Sequence, residues 1–388
     1  IGIGKKQFWQ NILNGVSGVK PVSIFKTFDK AYSLVGEVAD LDFSSYLGEK
    51  GLRYLDRSTR FLLIAAKLAL EDIKFKFEKK YHTDIGVVIG TDWAHIENNI
   101  RFYTTILTKG PNYVNPMDFP GTLANSAASK MSIRYGLAGP NATVARGFVS
   151  GLDAIGYARN IINKYKIKRI LTGGVENLSI EAYTVFYKLG WLRKGRNQNI
   201  NKSYRLFDTN NKGIIFGEGA CVLVLEDLHY VDRKMANILS EVIGYGFTFG
   251  DSKEMVVRSM RLALEDADLK PGDIDYICAN SNGSKKDTEE LEAIREIFSG
   301  SKMPVVSSIK FSVGESLGAV CAMQIASTSL ALSKGLVPPT VNFKNSNDKF
   351  KDMIISNCTI KRKIKAAMVN SFGLDGNNSC IILKKVAD

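Results

Sequence analysis

The sequence predicts an α/β protein built from two similar halves, each a largely buried sheet packed against helices. Three observations support this. Short apolar runs alternate along the chain with segments of helical periodicity. The same alternation starts again after a charged stretch at residues 227–236. No Pro- or Ser-rich linker separates the two parts, which suggests one duplicated fold with shared layers rather than two tethered units. At 388 residues the chain is longer than a single simple core usually grows.

In the first half, residues 55–73 read as a helix, with Phe61, Leu62, Ile64, Ala65, Leu68 and Ile73 near helical spacing. Residues 85–90 (IGVVIG) form a short apolar run ending in Gly, as a strand buried on both faces would. Residues 143–146 read as a strand, followed by a Gly-containing turn and an Ala/Ile-rich helix over 151–165. The runs RILTGG (169–174) and ACVLVL (220–225) read as strands. In the second half, 253–267 reads as helix, 274–279 as strand, 287–298 as helix, 305–309 as strand and 318–333 as helix. Two final strands are expected at 366–370 and 379–383.

Composition narrows the function classes. Hydrophobic residues make up 45% and charged residues 23%, which excludes disordered, collagenous and disulfide-stapled chains. No stretch approaches the roughly 20 apolar residues of a spanning helix, so no membrane span is expected. The five cysteines (Cys221, Cys278, Cys321, Cys358, Cys380) form no CxxC pair, and His82, His95 and His229 stand apart from them and from each other. Neither a metal site nor a cofactor is expected from such spacing. Scattered free thiols make cytoplasmic residence the default, and an initial Ile in place of Met is what a trimmed N-terminus would give.

Lys and Arg number 52 against 39 Asp and Glu, a formal net charge of +13. Basic clusters occur at 74–80, 164–169, 193–205 and 361–365. They are readable as a lysine-rich solvated surface or as a face for an acidic partner. A nucleic-acid partner is not expected, because zinc-finger spacing and RNP-type runs are missing. A small acidic carrier protein fits the charge.

The segment GPNATVARGFVSGLDAIGYA (139–158) carries the most chemical information. A strand enters a sharp turn and runs straight into a helix. Such an elbow lifts one side chain to the helix N-terminus, where backbone N–H groups can activate a nucleophile or hold an oxyanion. The side chain at the turn is near Phe148, which has no nucleophilic atom.

This segment resembles the nucleophile elbow of the β-ketoacyl synthases, the condensing enzymes of fatty-acid and polyketide assembly. Arg146-Gly147-Phe148 stands where Thr-Ala-Cys is usual in that family, followed by Ser150 and Gly151. Further segments match in order. They are LDR (55–57), Asn115-Pro116, Asn125, GLAGPN (136–141), TGGVE (172–176), Phe207-Asp208, Gly213, FGEGA (216–220), SSIKFSVGESLG (307–318) and NSFGLDGNN (370–378). The resemblance implies a thiolase-like α/β fold: two pseudo-duplicated αβαβα halves in five layers, divided as residues 1–230 and 231–388.

The departures from that pattern bear on function. A condensing enzyme needs a thiolate to accept the acyl chain and two histidines to stabilise the enolate left by decarboxylation. By the resemblance, the Cys position is Phe148, the first His position is Asn280 and the second is Glu315, with Lys310 retained five residues before it. Asn280 cannot shuttle a proton near neutrality. Glu315 would bring negative charge to an enolate unless it were protonated or paired with Lys310. In the terminal loop Phe372 remains as a candidate gate, and Leu374-Asp375 replaces a usual Phe-Gly. No catalytic residue is therefore expected. Glu218, in the GEG motif, is expected to hold loops together.

Two functions stand from this reading. In the first, the chain is a non-catalytic partner of an active Cys-His-His ketosynthase, similar to the chain-length factors of type II polyketide or aryl-polyene systems. In the second, it is a stand-alone acyl-thioester enzyme that relocates its chemistry to Glu315, Lys310 and Asp375. Under the first, the resemblance implies pairing about a two-fold axis through residues 143–158. The loop at 112–129 would then reach toward the partner's acyl tunnel. Trp93, Met117, Asp118, Phe119 and Phe372 are the candidate tunnel residues.

Overall fold

The computed structural model describes residues 1–76, 81–194, 204–207, 213–231, 237–343, 350, 353–355 and 357–386. Asp208, and parts of the 74–80 and 193–205 basic clusters and of the 227–236 break, lie outside the described residues.

The first sheet grows from the most apolar segments of the first half. Helix α1 (Gly4–Leu13) comes first, and after a short helical turn at Phe43–Leu47 the chain reaches α2 (Arg57–Asp72). Asp56 caps α2 by accepting the Thr59 N–H at 2.8 Å, satisfying an otherwise orphaned donor. The inward face of α2 then buries Phe61, Leu62, Leu63, Ile64, Ala66 and Leu70. Next come β1 (Ile85–Gly90), α3 (Ile96–Lys109), α4 (Ser126–Tyr135), β2 (Asn141–Val144), α5 (Ser150–Tyr165), β3 (Arg169–Glu176), α6 (Ile180–Lys188) and β4 (Gly219–Glu226). The strand order is β2-β1-β3-β4. The first three strands are parallel, and β4 runs antiparallel to β3. Every residue of β1 is buried, which explains why it reads as a continuous apolar run.

The second half contributes β5 (Glu241–Phe249), α7 (Lys253–Asp266), β6 (Tyr276–Cys278), α8 (Lys286–Ile297), β7 (Val305–Ser307), α9 (Gly318–Lys334), β8 (Ile354–Ile355), β9 (Ala366–Phe372) and β10 (Asn377–Lys384). Their order is β8-β7-β6-β9-β10-β5. Within it, β7-β6-β9-β10 repeats the parallel, parallel, antiparallel pattern of β2-β1-β3-β4. This internal repeat is the duplication expected from the sequence.

Helices α5 and α9 lie side by side between the sheets, while α2 and α4 cover the first sheet outside and α7 and α8 the second. The result is a five-layered thiolase-like fold. α9 is buried on nearly every face, which accounts for its apolar and small residues all round. Gly151 and Gly174 let α5 and β3 approach the start of α9, since a Cβ at either position would collide with the Gly318 carbonyl.

One expected element is shifted. The strand read at 143–146 runs over Asn141–Val144. Its pairing with β1 ends at Gly90–Val144, and the backbone then turns through Arg146 and Gly147, where φ is +57°.

Candidate functional site

The elbow lies between β2 and α5. Gly147–Val149 form a single 3-10 turn with Phe148 at its centre. Phe148 is only 3% exposed. Its ring lies 5.7 Å from that of Trp191 and 6.2 Å from that of Phe186. Phe186 in turn stacks on Trp191 at 5.6 Å and meets Phe216 edge-on at 4.8 Å. Leu317 belongs to the same apolar cluster, with Trp93 and Leu374 packed against it. The side chain at the elbow tip is therefore one face of an aromatic wall.

A thiol does lie under the elbow, supplied by α9. Cys321 Sγ donates to the Phe148 carbonyl at 3.1 Å, and Ser371 Oγ donates to the same oxygen at 3.2 Å. Burial pushes the Cys321 thiol up to about 11, so it stays protonated near neutral pH. It holds the turn from below. The two residues are 173 positions apart, and sequence reading alone did not bring them together.

The positions read as replaced histidines do converge. Lys310 Nζ lies 2.8 Å from Glu315 Oε2 and 2.8 Å from Asn280 Oδ1. Asn282, which the sequence reading did not single out, donates to Glu315 Oε2 at 2.8 Å, and the Leu317 N–H donates to Glu315 Oε1 at 3.0 Å. All five residues are fully buried. Among the described residues, Asn280 Nδ2 has no partner.

Two acids on α8 fix the loop that carries Asn280 and Asn282. Glu290 accepts the N–H groups of Asn280 at 2.9 Å and Ser281 at 3.0 Å, and Asp287 accepts those of Asn282 at 2.9 Å and Gly283 at 3.2 Å. Burial pushes Glu290 up to about 7 and raises Asp287. Chemically, the network presents an ammonium and a carboxylate that neutralise each other. It has neither the imidazoles nor the thiolate of a condensing site.

The remaining expected residues are spread out. Trp93 is half-buried with its ring 5.9 Å from Phe186, and it borders a shallow apolar groove of about 360 Å³ together with Ile96, Ile100, Ile180, Thr184 and Val185. Met117, Asp118 and Phe119 lie on the surface in the 3-10 stretch Pro116–Thr122, where the Phe119 ring is 6.0 Å from Phe102 of α3. Phe372 is fully buried in the core of the second half, and Leu374 is the terminal-loop residue beside Phe148. Glu218 is buried and accepts Arg57 Nε at 2.9 Å together with the N–H groups of Val38 and Leu178. Among the described residues no group of His, Cys, Asp and Glu could hold a metal ion, and no helix is long and apolar enough to cross a membrane.

Comparison with known proteins settles the family. Residues 1–230 match the N-terminal domain of β-ketoacyl synthases, and residues 240–344 match the C-terminal domain. The chain belongs to the β-ketoacyl synthase family. It is 30% identical to the 3-oxoacyl-[acyl-carrier-protein] synthase 2 of Coxiella burnetii over 399 residues, covering 100% of this chain and 96% of that enzyme. It is 31% identical to the enzyme of the same name from Rhizobium meliloti over 407 residues, covering 99% and 96%. Among solved structures, the ishigamide ketosynthase/chain length factor superimposes with a TM-score of 0.90 at 25% identity, covering 100% of this chain and 96% of that one. A type II polyketide ketosynthase, solved bound to a hexaketide and in complex with its acyl-carrier protein, gives 0.88 at 25%, covering 99% and 96%.

Proposed function

We propose that this chain is a non-catalytic ketosynthase-like subunit, a chain-length factor. It pairs with an active Cys-His-His ketosynthase and contributes one wall of the partner's acyl tunnel during polyketide or fatty-acid-like elongation. The observation that carries the reading is Phe148, a buried aromatic at the tip of an intact elbow. Without a nucleophile there, no acyl-enzyme forms. The paired Lys310 and Glu315 add a second block, because Glu315 brings a carboxylate where an enolate needs positive or neutral donors and takes up the Lys310 ammonium as its own partner.

The surface supports a pairing role. Among the described strands, β2 has a neighbour on one side only. Large apolar side chains lie exposed on α3 (Tyr103, Leu107), on the turns after it (Tyr113, Met117, Phe119) and on α4 (Ile133). Trp93, Met117, Asp118 and Phe119 are the residues assigned to the shared tunnel. The excess positive charge suits docking of an acidic acyl carrier protein. The stand-alone reading has no specific support, since Lys310 and Glu315 are each other's buried partner.

The test is incubation of the isolated chain with acyl- and malonyl-loaded carrier protein. No β-ketoacyl product is expected. Its appearance at a rate proportional to this chain's concentration would overturn the proposal.

A further inference from the structure

Two departures from the family pattern, Gly147 in the elbow and Asp375 in the terminal loop, are in contact. A Cβ on Gly147 would collide with Asp375 Oδ2, and a Cβ on Gly373 would collide with Asp375 Oδ1. The carboxylate thus sits in a slot that exists only because both neighbours are glycine. It is held there by Asn377, whose backbone N–H donates to Oδ1 at 3.1 Å and whose side-chain amide donates to Oδ2 at 3.2 Å. Asn377 Oδ1 accepts Arg146 Nη2 at 2.9 Å. Arg146 Nη1 is paired with Asp153 of α5, and Asp153 accepts the Tyr245 hydroxyl of β5 at 2.8 Å. A continuous polar chain therefore runs from the terminal loop through the elbow to α5 and β5.

We propose that Asp375 is a latch. Its carboxylate wedges between Gly147 and Gly373 and, through Asn377 and Arg146, holds the terminal glycine loop shut over the elbow. The elbow is then closed to an acyl thioester independently of the residue at position 148. The latch also explains why position 147 is glycine here. A side chain at 147 would displace the carboxylate from its slot, so the two positions are coupled. This inference goes beyond the chain-length reading and does not depend on it, because it concerns closure of this chain's own elbow.

The test is done on the full chain. A thiol is introduced at the elbow tip in two variants, Phe148→Cys and Phe148→Cys/Asp375→Gly. Its alkylation by iodoacetamide is followed by peptide mass mapping, with Cys321 as the buried internal control. Alkylation is expected to be about thirtyfold faster in the second variant, the factor for losing the two ordinary hydrogen bonds by which Asn377 holds Asp375. Equal rates would overturn the latch. A second measurement does not need position 148 changed. Gly147→Ala should lower the melting temperature markedly in the native background and much less in Asp375→Gly, where the positive φ at 147 is the only remaining penalty. Additive shifts would show that the two positions are not coupled and would also overturn it.

Discussion

Glu315→Ala is the sharpest perturbation of the degenerate site. Glu315 accepts three donors, Lys310 Nζ at 2.8 Å, Asn282 Nδ2 at 2.8 Å and the Leu317 N–H at 3.0 Å. Truncation leaves the Lys310 ammonium fully buried against the neutral Asn280 Oδ1 at 2.8 Å, with its countercharge gone. Removing one member of a buried pair costs about 3–5 kcal/mol, most of it from the stranded charge. Leu317 adds to the loss, because its backbone (φ +48°, ψ −119°) is in a region that non-glycine residues avoid and its N–H is held by Glu315. Denaturant unfolding of the wild type, Glu315→Ala, Lys310→Met and the double variant measures the effect. Each single change should destabilise by several kcal/mol, while the double should recover much of the loss, since replacing a whole buried pair with apolar groups is often neutral. A Glu315→Ala cost below about 1 kcal/mol, or strict additivity in the double, would refute the reasoning.

Other consequences follow from the same geometry. Phe148→Ala removes a buried ring from beside Phe186 and Trp191 and should cost about 3–5 kcal/mol in denaturant unfolding, with no gain of condensing activity. Burial pushes Glu176 up to about 8, although it accepts the N–H groups of Asp92 at 2.5 Å and Trp93 at 3.1 Å. A carboxyl whose folded value is raised is protonated in the native state while the unfolded one ionises. Its stabilising contribution is complete below the unfolded value and is lost as pH rises through about 8, at up to about 1.4 kcal/mol per pH unit. Glu176→Gln should flatten that fall between acid and mildly alkaline pH, and parallel stability curves would contradict it. With a ketosynthase partner bound, Trp93→Ala and Phe119→Ala should lengthen or blur the partner's product without stopping condensation. An extra methylene in an apolar pocket is worth about 1–3 kcal/mol, so simple steric exclusion is enough to set chain length. Unchanged product length with the partner demonstrably bound would remove Trp93 and Phe119 from the tunnel.

The parts of the fold legible in the sequence are those where one physical signal dominates. β1 is readable because both its faces are buried, and α2 because its apolar stripe is broad. By contrast, α3 and α4 carry mixed faces with exposed apolar residues such as Leu107 and Ile133, which blurs helical periodicity. β5 lies at a sheet edge with Phe247 and Phe249 exposed, so its alternation reads weakly. In the site, the elbow and the Lys310–Glu315 spacing are visible because they are local in the chain. Asn282, Cys321 and the Phe186–Trp191 wall are not, because each reaches the site through tertiary packing alone. Asp375 is visible as a departure, but its contact with Gly147 joins two loops far apart in sequence.

The most direct test of the central claim is co-expression of this chain with a ketosynthase homologue that has the Cys and both histidines, followed by native mass measurement and a condensation assay. A one-to-one complex is expected, in which condensation requires the partner's cysteine. Replacing that cysteine abolishes product, and Phe148 of this chain can be changed without restoring it. A stable homodimer of this chain that ignores the partner, or product formation that survives loss of the partner's cysteine, would contradict it.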